Sequence, residues 1–180
     1  MRLPERLDGQ VRIGVALQVP PPFGPSLQRA RAGFGDPLAA LIPPHVTLLG
    51  PTVVDDADVA KVDDHLVNVG RAHRAFTVHL RGTGTFRPVS DVVFVQVVEG
   101  ISECERLEGS VRSGPLAQEL RFNYHPHVTI AHDVPDVDLD RAFVDLADYE
   151  AQFLVDALQV YEHGDDGVWR PVRSFPLTAS

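Results

Sequence analysis

Two short stretches carry groups capable of proton transfer at matched positions: Pro44-His45-Val46-Thr47-Leu48 and Pro126-His127-Val128-Thr129-Ile130, 82 residues apart. An imidazole has an ordinary pKa of ~6.5, so near neutral pH one can accept a proton while a second, protonated, donates one. A hydroxyl two residues on can donate to an anionic oxygen. Two imidazoles and two hydroxyls around one phosphorus suit in-line displacement at a phosphodiester. A base stands on the attacking side and an acid on the leaving side, and no metal is needed.

The spacing says how such groups would meet. Alternate residues of a strand share a face, so His45 and Thr47 point one way while Val46 and Leu48 point the other. The same holds for His127 and Thr129 with Val128 and Ile130 behind. If the two units are related by a pseudo-twofold axis, all four polar groups converge on one cleft.

Other residues offer supporting chemistry. Thr77, His79 and Arg81 share a strand face opposite Phe76, Val78 and Leu80; Arg81 is either a phosphate contact or part of a solvated sheet face. Phe86 and Tyr124 either stack on a base or pack, and Arg87 and Arg121 could assist an anionic substrate. Trp169 reads as packing. His125, His127 and His132 invite a metal reading, but His132 has the opposite strand parity and no nearby Glu completes a ligand set. The expectation is no metal and no cofactor. His125 is then a rim residue, and His65, His73 and His163 are solvated.

The elements that must hold these groups follow from periodicity. Residues 11–19 alternate as a strand, and Pro20–Pro25 reads as a stiff connection. Ser26 is placed to cap a short helix with Leu27, Ala30 and Phe34 on one side. Val59, Val62, Leu66 and Val69 form a helical stripe. Strand-like pieces follow at 76–81, 84–87 and 92–98, the last rich in β-branched residues. A helix with Ile101, Cys104, Leu107 and Val111 on one face stops at Gly114-Pro115. A strand around 127–131 precedes a helix bearing Leu139, Phe143 and Leu146. Residues 152–161 and 168–175 read as two terminal strands. The interleaving predicts an α+β fold with helices outside antiparallel sheets.

Composition narrows the function. The chain has 180 residues with 44% hydrophobic side chains, and a formal charge of −9 argues against coating nucleic acid through bulk electrostatics. Lys61 is the only lysine and follows Val-Ala rather than a Gly-rich loop, so no Walker A cradle exists. Gly-x-Ser-x-Gly, His-Glu-x-x-His and Gly-x-Gly-x-x-Gly patterns are absent as well. Cys104 is the single cysteine. No apolar run approaches the ~18 residues of a membrane span, and the first residues lack a signal peptide's apolar core. The expected location is the cytoplasm.

The paired His-x-Thr-aliphatic motifs resemble those of the 2H phosphoesterase superfamily, which includes 2′-5′ RNA ligase-like proteins and cyclic phosphodiesterases. Leu49-Gly50-Pro51 after the first motif, and Gly82-Thr-Gly-Thr-Phe86 ahead of the 92–97 strand, add to the likeness. The resemblance implies one domain over 1–180 in two lobes: a bilobal α+β fold with two pseudo-twofold-related antiparallel sheets, outer helices and a central cleft. It further implies opening of 2′,3′-cyclic phosphates, or cleavage and joining of 2′-5′ linkages, without ATP or metal. His45, Thr47, His127 and Thr129 inherit the catalytic roles. Relatives acting on RNA often carry basic or aromatic residues just after the first motif, whereas Leu49-Gly50-Pro51-Thr52 offers none. A small cyclic nucleotide is therefore favoured over a long RNA, with an RNA terminus as the other partner and no protein or membrane partner implied. The residues do not assign acid and base; for ring opening the reading takes His127 as the base activating water and His45 as the acid. Both limbs of a bell-shaped pH–rate profile are expected between roughly pH 5 and 8. A non-catalytic nucleotide- or RNA-binding module and a metal-dependent hydrolase are the competing readings.

Overall fold

Alternation around both motifs is realised as strands, seen in a computed structural model that describes residues 3–120 and 122–179. In chain order the elements are β1 (Gln10–Gln18), α1 (Phe23–Gly33), β2 (His45–Asp55), α2 (Val59–Ala72), β3 (Phe76–Thr85), β4 (Val92–Glu99), α3 (Ile101–Val111), β5 (His127–His132), α4 (Asp136–Asp145), β6 (Glu150–Val155), β7 (Ala157–His163) and β8 (Trp169–Pro176). All strand neighbours are antiparallel, in the order β6-β3-β4-β5-β2-β1-β7-β8. The segments β1-α1-β2-α2 and β4-α3-β5-α4 repeat one pattern and place the two motif strands side by side. β2 and β5 join through a single register pair, Val46 with Val128. The two sheets expected from the sequence are thus edge-joined at one rung into an eight-stranded sheet.

That sheet must curl. β6 and β7 occupy the first and seventh places, yet only Asp156 separates them in the chain. Two peptide steps span at most ~7.6 Å, whereas six strand spacings laid flat would separate those strands by roughly 29 Å. The expected single strand over 152–161 is therefore two. Its signal is a change of parity: Ala151, Phe153 and Val155 are buried in β6, then Leu158 and Val160 in β7. Conversely, the pieces expected at 76–81 and 84–87 form one strand, β3, with a bulge between Leu80 and Thr83 where Gly82 takes φ +66°.

Helices cover the face that the motifs turn away from. Val62, Leu66 and Val69 of α2 are buried, as are Cys104, Leu107 and Val111 of α3 and Leu139 and Ala142 of α4. Burial of each large aliphatic side chain stabilises by about 1.5–3 kcal/mol. Phe143, expected in the α4 stripe, remains 38% exposed. α1 packs on β5 and α3 on β2, so each crosses to the other half's motif strand. α1 starts within the proline run, with Pro22 at its N-cap and Pro25 in its first turn. First-turn N–H groups have no helical partner, so proline is tolerated there and Ser26 does not cap. After α1, Arg31 Nε donates to Asp36 Oδ2 at 2.7 Å, and Asp36 Oδ1 accepts from Leu38 N at 2.8 Å, starting the 3-10 turn Pro37–Ala40. Both charged residues are buried. His65 and His73, read as solvated, instead bridge α2 to Val111 O and Ser110 Oγ of α3, and His163 bonds Arg12.

Candidate active site

Register builds the site. With Val46 opposite Val128 and both buried, alternation sets Thr47 across from His127, and His45 across from Thr129, on the opposite face. Adjacent pairings extend these into two rows: Gln96, His127, Thr47 and Ala16 in one, and Phe94, Thr129, His45 and Gln18 in the other. Exchanging the halves swaps the glutamines, the histidines and the threonines, and exchanges only Ala16 with a different residue, Phe94. Cross-strand neighbours have Cβ atoms ~4.5–5.5 Å apart and diagonal ones ~7–8 Å, which is the relation of His45 to His127. A phosphate hydrogen-bonded at ~2.8 Å on both sides spans roughly 8 Å.

Both imidazoles are anchored alike. His45 Nδ1 donates to Pro43 O at 2.7 Å and His127 Nδ1 donates to His125 O at 2.7 Å, since a carbonyl only accepts. Each neutral ring therefore presents an unprotonated Nε2. That of His45 accepts from the Thr47 hydroxyl at 3.1 Å. The surroundings differ. His127 stands edge-on to Phe86 and tilted to Phe94, each with ring centroids 5.0 Å away, and Phe86 packs on Phe94 at 4.5 Å. Gly84 makes room, because a Cβ there would lie 2.5 Å from the Phe94 ring. His45 has Tyr161 beside it, with centroids 6.2 Å apart. Burial lowers the pKa of both histidines from the usual value. For His127, burial, then the charges of His125 and His45, bring it to about 4, opposed by the His125 carbonyl. For His45, burial dominates and the Arg31 charge adds to it, opposed by the Pro43 carbonyl.

Sequence comparison agrees with this architecture: residues 19–167 match the family described as the 2′-5′ RNA ligase superfamily. The chain belongs to that superfamily. A protein named "Putative phosphoesterase" from Bacillus mycoides (strain KBAB4) is 28% identical over 146 residues, covering 79% of this chain and 83% of its own length. Among solved structures, E. coli LigT complexed with 3′-AMP superposes with a TM-score of 0.72 at 18% identity, covering 94% of this chain and 99% of that one. LigT complexed with NADP+ gives 0.65 at 19% identity, with 94% and 99% covered.

In this superfamily member the remaining candidates divide. Phe86 forms one wall of the site against His127. Arg81 is exposed on the site-side face of β3, the strand beyond Gln96, opposite Glu150 in register. Arg87 departs from the expectation: it ion-pairs with Asp140 at 2.7 Å and Asp136 at 3.6 Å, and is held by α4. Tyr124 departs too. Its ring packs against the core and its hydroxyl donates to Thr47 O at 3.0 Å, so it braces the first motif rather than offering a stacking surface. Arg121 lies outside the described residues. His125 is exposed at the rim, its ring stacked 6.1 Å from His127. Among the described residues, no group of three His, Cys, Asp or Glu side chains is placed to hold a metal. Sequence reading missed Gln18, Gln96, Tyr161 and the Arg31–Asp36 pair; only the glutamines left a trace, sharing strand parity with the motif residues.

Proposed function

We propose that this chain opens nucleoside 2′,3′-cyclic phosphates, or cleaves and joins 2′-5′ phosphodiesters, by acid–base catalysis between His127 and His45 without metal or ATP. The observation carrying this reading is the β2–β5 register, which pairs each motif histidine with the other motif's threonine. Neutral His127 takes a proton from water as its oxygen bonds to phosphorus. Protonated His45 gives its Nε2 proton to the departing ribose oxygen as that P–O bond breaks. Burial brings the pKa of His127 to about 4, which keeps the ring neutral and supports its role as base. Thr47 gains a second role in this scheme. Once His45 Nε2 carries a proton it no longer accepts from Thr47, whose hydroxyl is freed to donate to a non-bridging oxygen, with Thr129 as its counterpart. Phe86 and Arg81 border the substrate. The 3′-AMP bound by the E. coli neighbour is the kind of product that ring opening releases, which supports a small nucleotide as substrate.

The test assays His45→Ala and His127→Ala separately on 2′,3′-cyclic nucleoside monophosphates after thorough chelation. Each is expected to lose about 10²-fold or more in kcat while the chelated parent keeps its activity. A parent without turnover removes the catalytic reading and leaves a nucleotide-binding module. Activity abolished by chelation points to a metal hydrolase instead.

A further inference from the structure

Chain from outside the sheet covers the site face on the His45 side. Ile13, Val15 and Leu17 of β1 are buried against the helices, so alternation puts Arg12, Gly14, Ala16 and Gln18 on the face of His45 and Thr47. Residues 3–7, ahead of β1, run back along that face. Arg12 Nε and Nη2 both donate to Pro4 O, the first at 3.0 Å, and Arg12 Nη1 donates to His163 Nδ1 at 2.9 Å. Arg6 ion-pairs with Asp165, in the turn between β7 and β8. Leu3, with Ile42 from the loop before β2, packs on a small apolar cluster of Ala16, Tyr161 and Trp169 that is separate from the main core. The Trp169 ring lies against Gly14, where a Cβ would stand 3.4 Å from it. Ala16 pairs with Thr47, so this cover begins one strand spacing, ~4.8 Å, from the motif strand β2. The same face stays open over the other half. Beyond Gln96, Arg81 of β3 is exposed and Val98, next in alternation on β4, is 46% exposed.

Resting on the phosphoesterase reading, we propose that residues 3–7 form a strap that makes the cleft one-ended and selects phosphodiesters carrying a nucleoside on one side only. In a 2′,3′-cyclic phosphate both ester oxygens belong to one ribose. The oxygen that departs towards His45 therefore stays tethered to a nucleoside lying over the open half. A 2′-5′ linkage joins two nucleosides, and cleaving or forming it must seat one of them on the His45 flank, where Leu3, Ile42 and Trp169 stand. Ring opening fits the strapped cleft, and 2′-5′ cleavage or joining is what the strap obstructs.

The double variant Leu3→Ser/Arg12→Gln removes the apolar and polar anchors of the strap, and its release is read as faster tryptic cleavage after Arg6. Parent and variant are assayed on 2′,3′-cyclic AMP and on 2′-5′-linked diadenosine monophosphate. The parent is expected to favour the cyclic substrate by about 100-fold or more in kcat/KM. The variant should stay within about threefold of the parent on the cyclic substrate and gain about 10-fold or more on the dinucleotide. An unchanged ratio in the variant, or a parent that cleaves both substrates equally well, overturns the strap and leaves the phosphoesterase reading standing. A variant that trypsin cuts no faster also overturns it, because Leu3 and Arg12 then do not hold the segment. Should the double variant melt far below the parent and lose cyclic turnover, Leu3→Ser alone is read by the same criteria, and loss in both overturns the proposal. If the parent turns over neither substrate, the phosphoesterase reading falls and calorimetry with the dinucleotide decides. Binding tightened about fivefold or more in the variant upholds the strap, and unchanged or undetectable binding overturns it.

Discussion

His45 and His127 carry the same side chain, yet their neighbours separate them. Phe86 and Phe94 flank His127 whereas Tyr161 stands beside His45, burial lowers the pKa of both, and a charge on His45 disfavours one on His127. Since kcat/KM reports the free enzyme, the limbs of its pH profile are expected near pH 4, from His127, and below 6.5, from His45. That places the optimum on the acid side of neutrality, lower than the motif alone suggests. A kcat/KM optimum above pH 7 contradicts it. The same shift affects stability. The unfolded chain protonates His127 near 6.5 and the folded chain only near 4, so stability declines as pH falls through that window and levels below it. His127→Gln should flatten the decline in urea melts across pH 4–6.5, and an unchanged slope counts against a buried, neutral ring. The motif residues were legible because strand alternation alone decides their face. Arg87 and Tyr124 were not, since their partners, Asp140 and Thr47 O, lie 53 and 77 residues away.

Elements tell a parallel story about what local pattern reveals. The stripes of α2 and α3 and the core-facing valines of β4 are periodic and were readable. The proline run hid the start of α1, because helix-breaking residues are harmless where N–H groups lack partners. The break at Asp156 was hidden by two apolar strands in direct succession, and only the parity slip marked it. The Arg31–Asp36 pair had no periodic signature at all, being a charged contact closed across the end of a helix. Its removal is predicted to be severe. Arg31→Met strands a buried carboxylate and should lower unfolding free energy by about 3–5 kcal/mol in denaturant titration. A loss under 1 kcal/mol would show that Asp36 finds another partner or water.

Charge is a property of the entire chain. At −9, the protein repels polyanions at long range, while the site presents neutral imidazoles, hydroxyls and amides. Raising salt from about 20 to about 200 mM should therefore leave kcat/KM on a small cyclic nucleotide level, or raise it as repulsion is screened. A fall of tenfold or more belongs to a surface that neutralises many phosphates and would speak for an extended RNA ligand. The acidic balance, the α+β class and the twofold plan could all be inferred from composition and repetition. The curl could not, because it depends on which edges the last three strands choose.

The crossing of α1 onto β5 and α3 onto β2 has a consequence for assembly. The first helix of each repeat roofs its twin's reactive strand, like two hands clasped. The site therefore needs both repeats docked. Competence arrives with the last docking event, and a fragment ending before β5 should stay inert until the missing portion is supplied in trans.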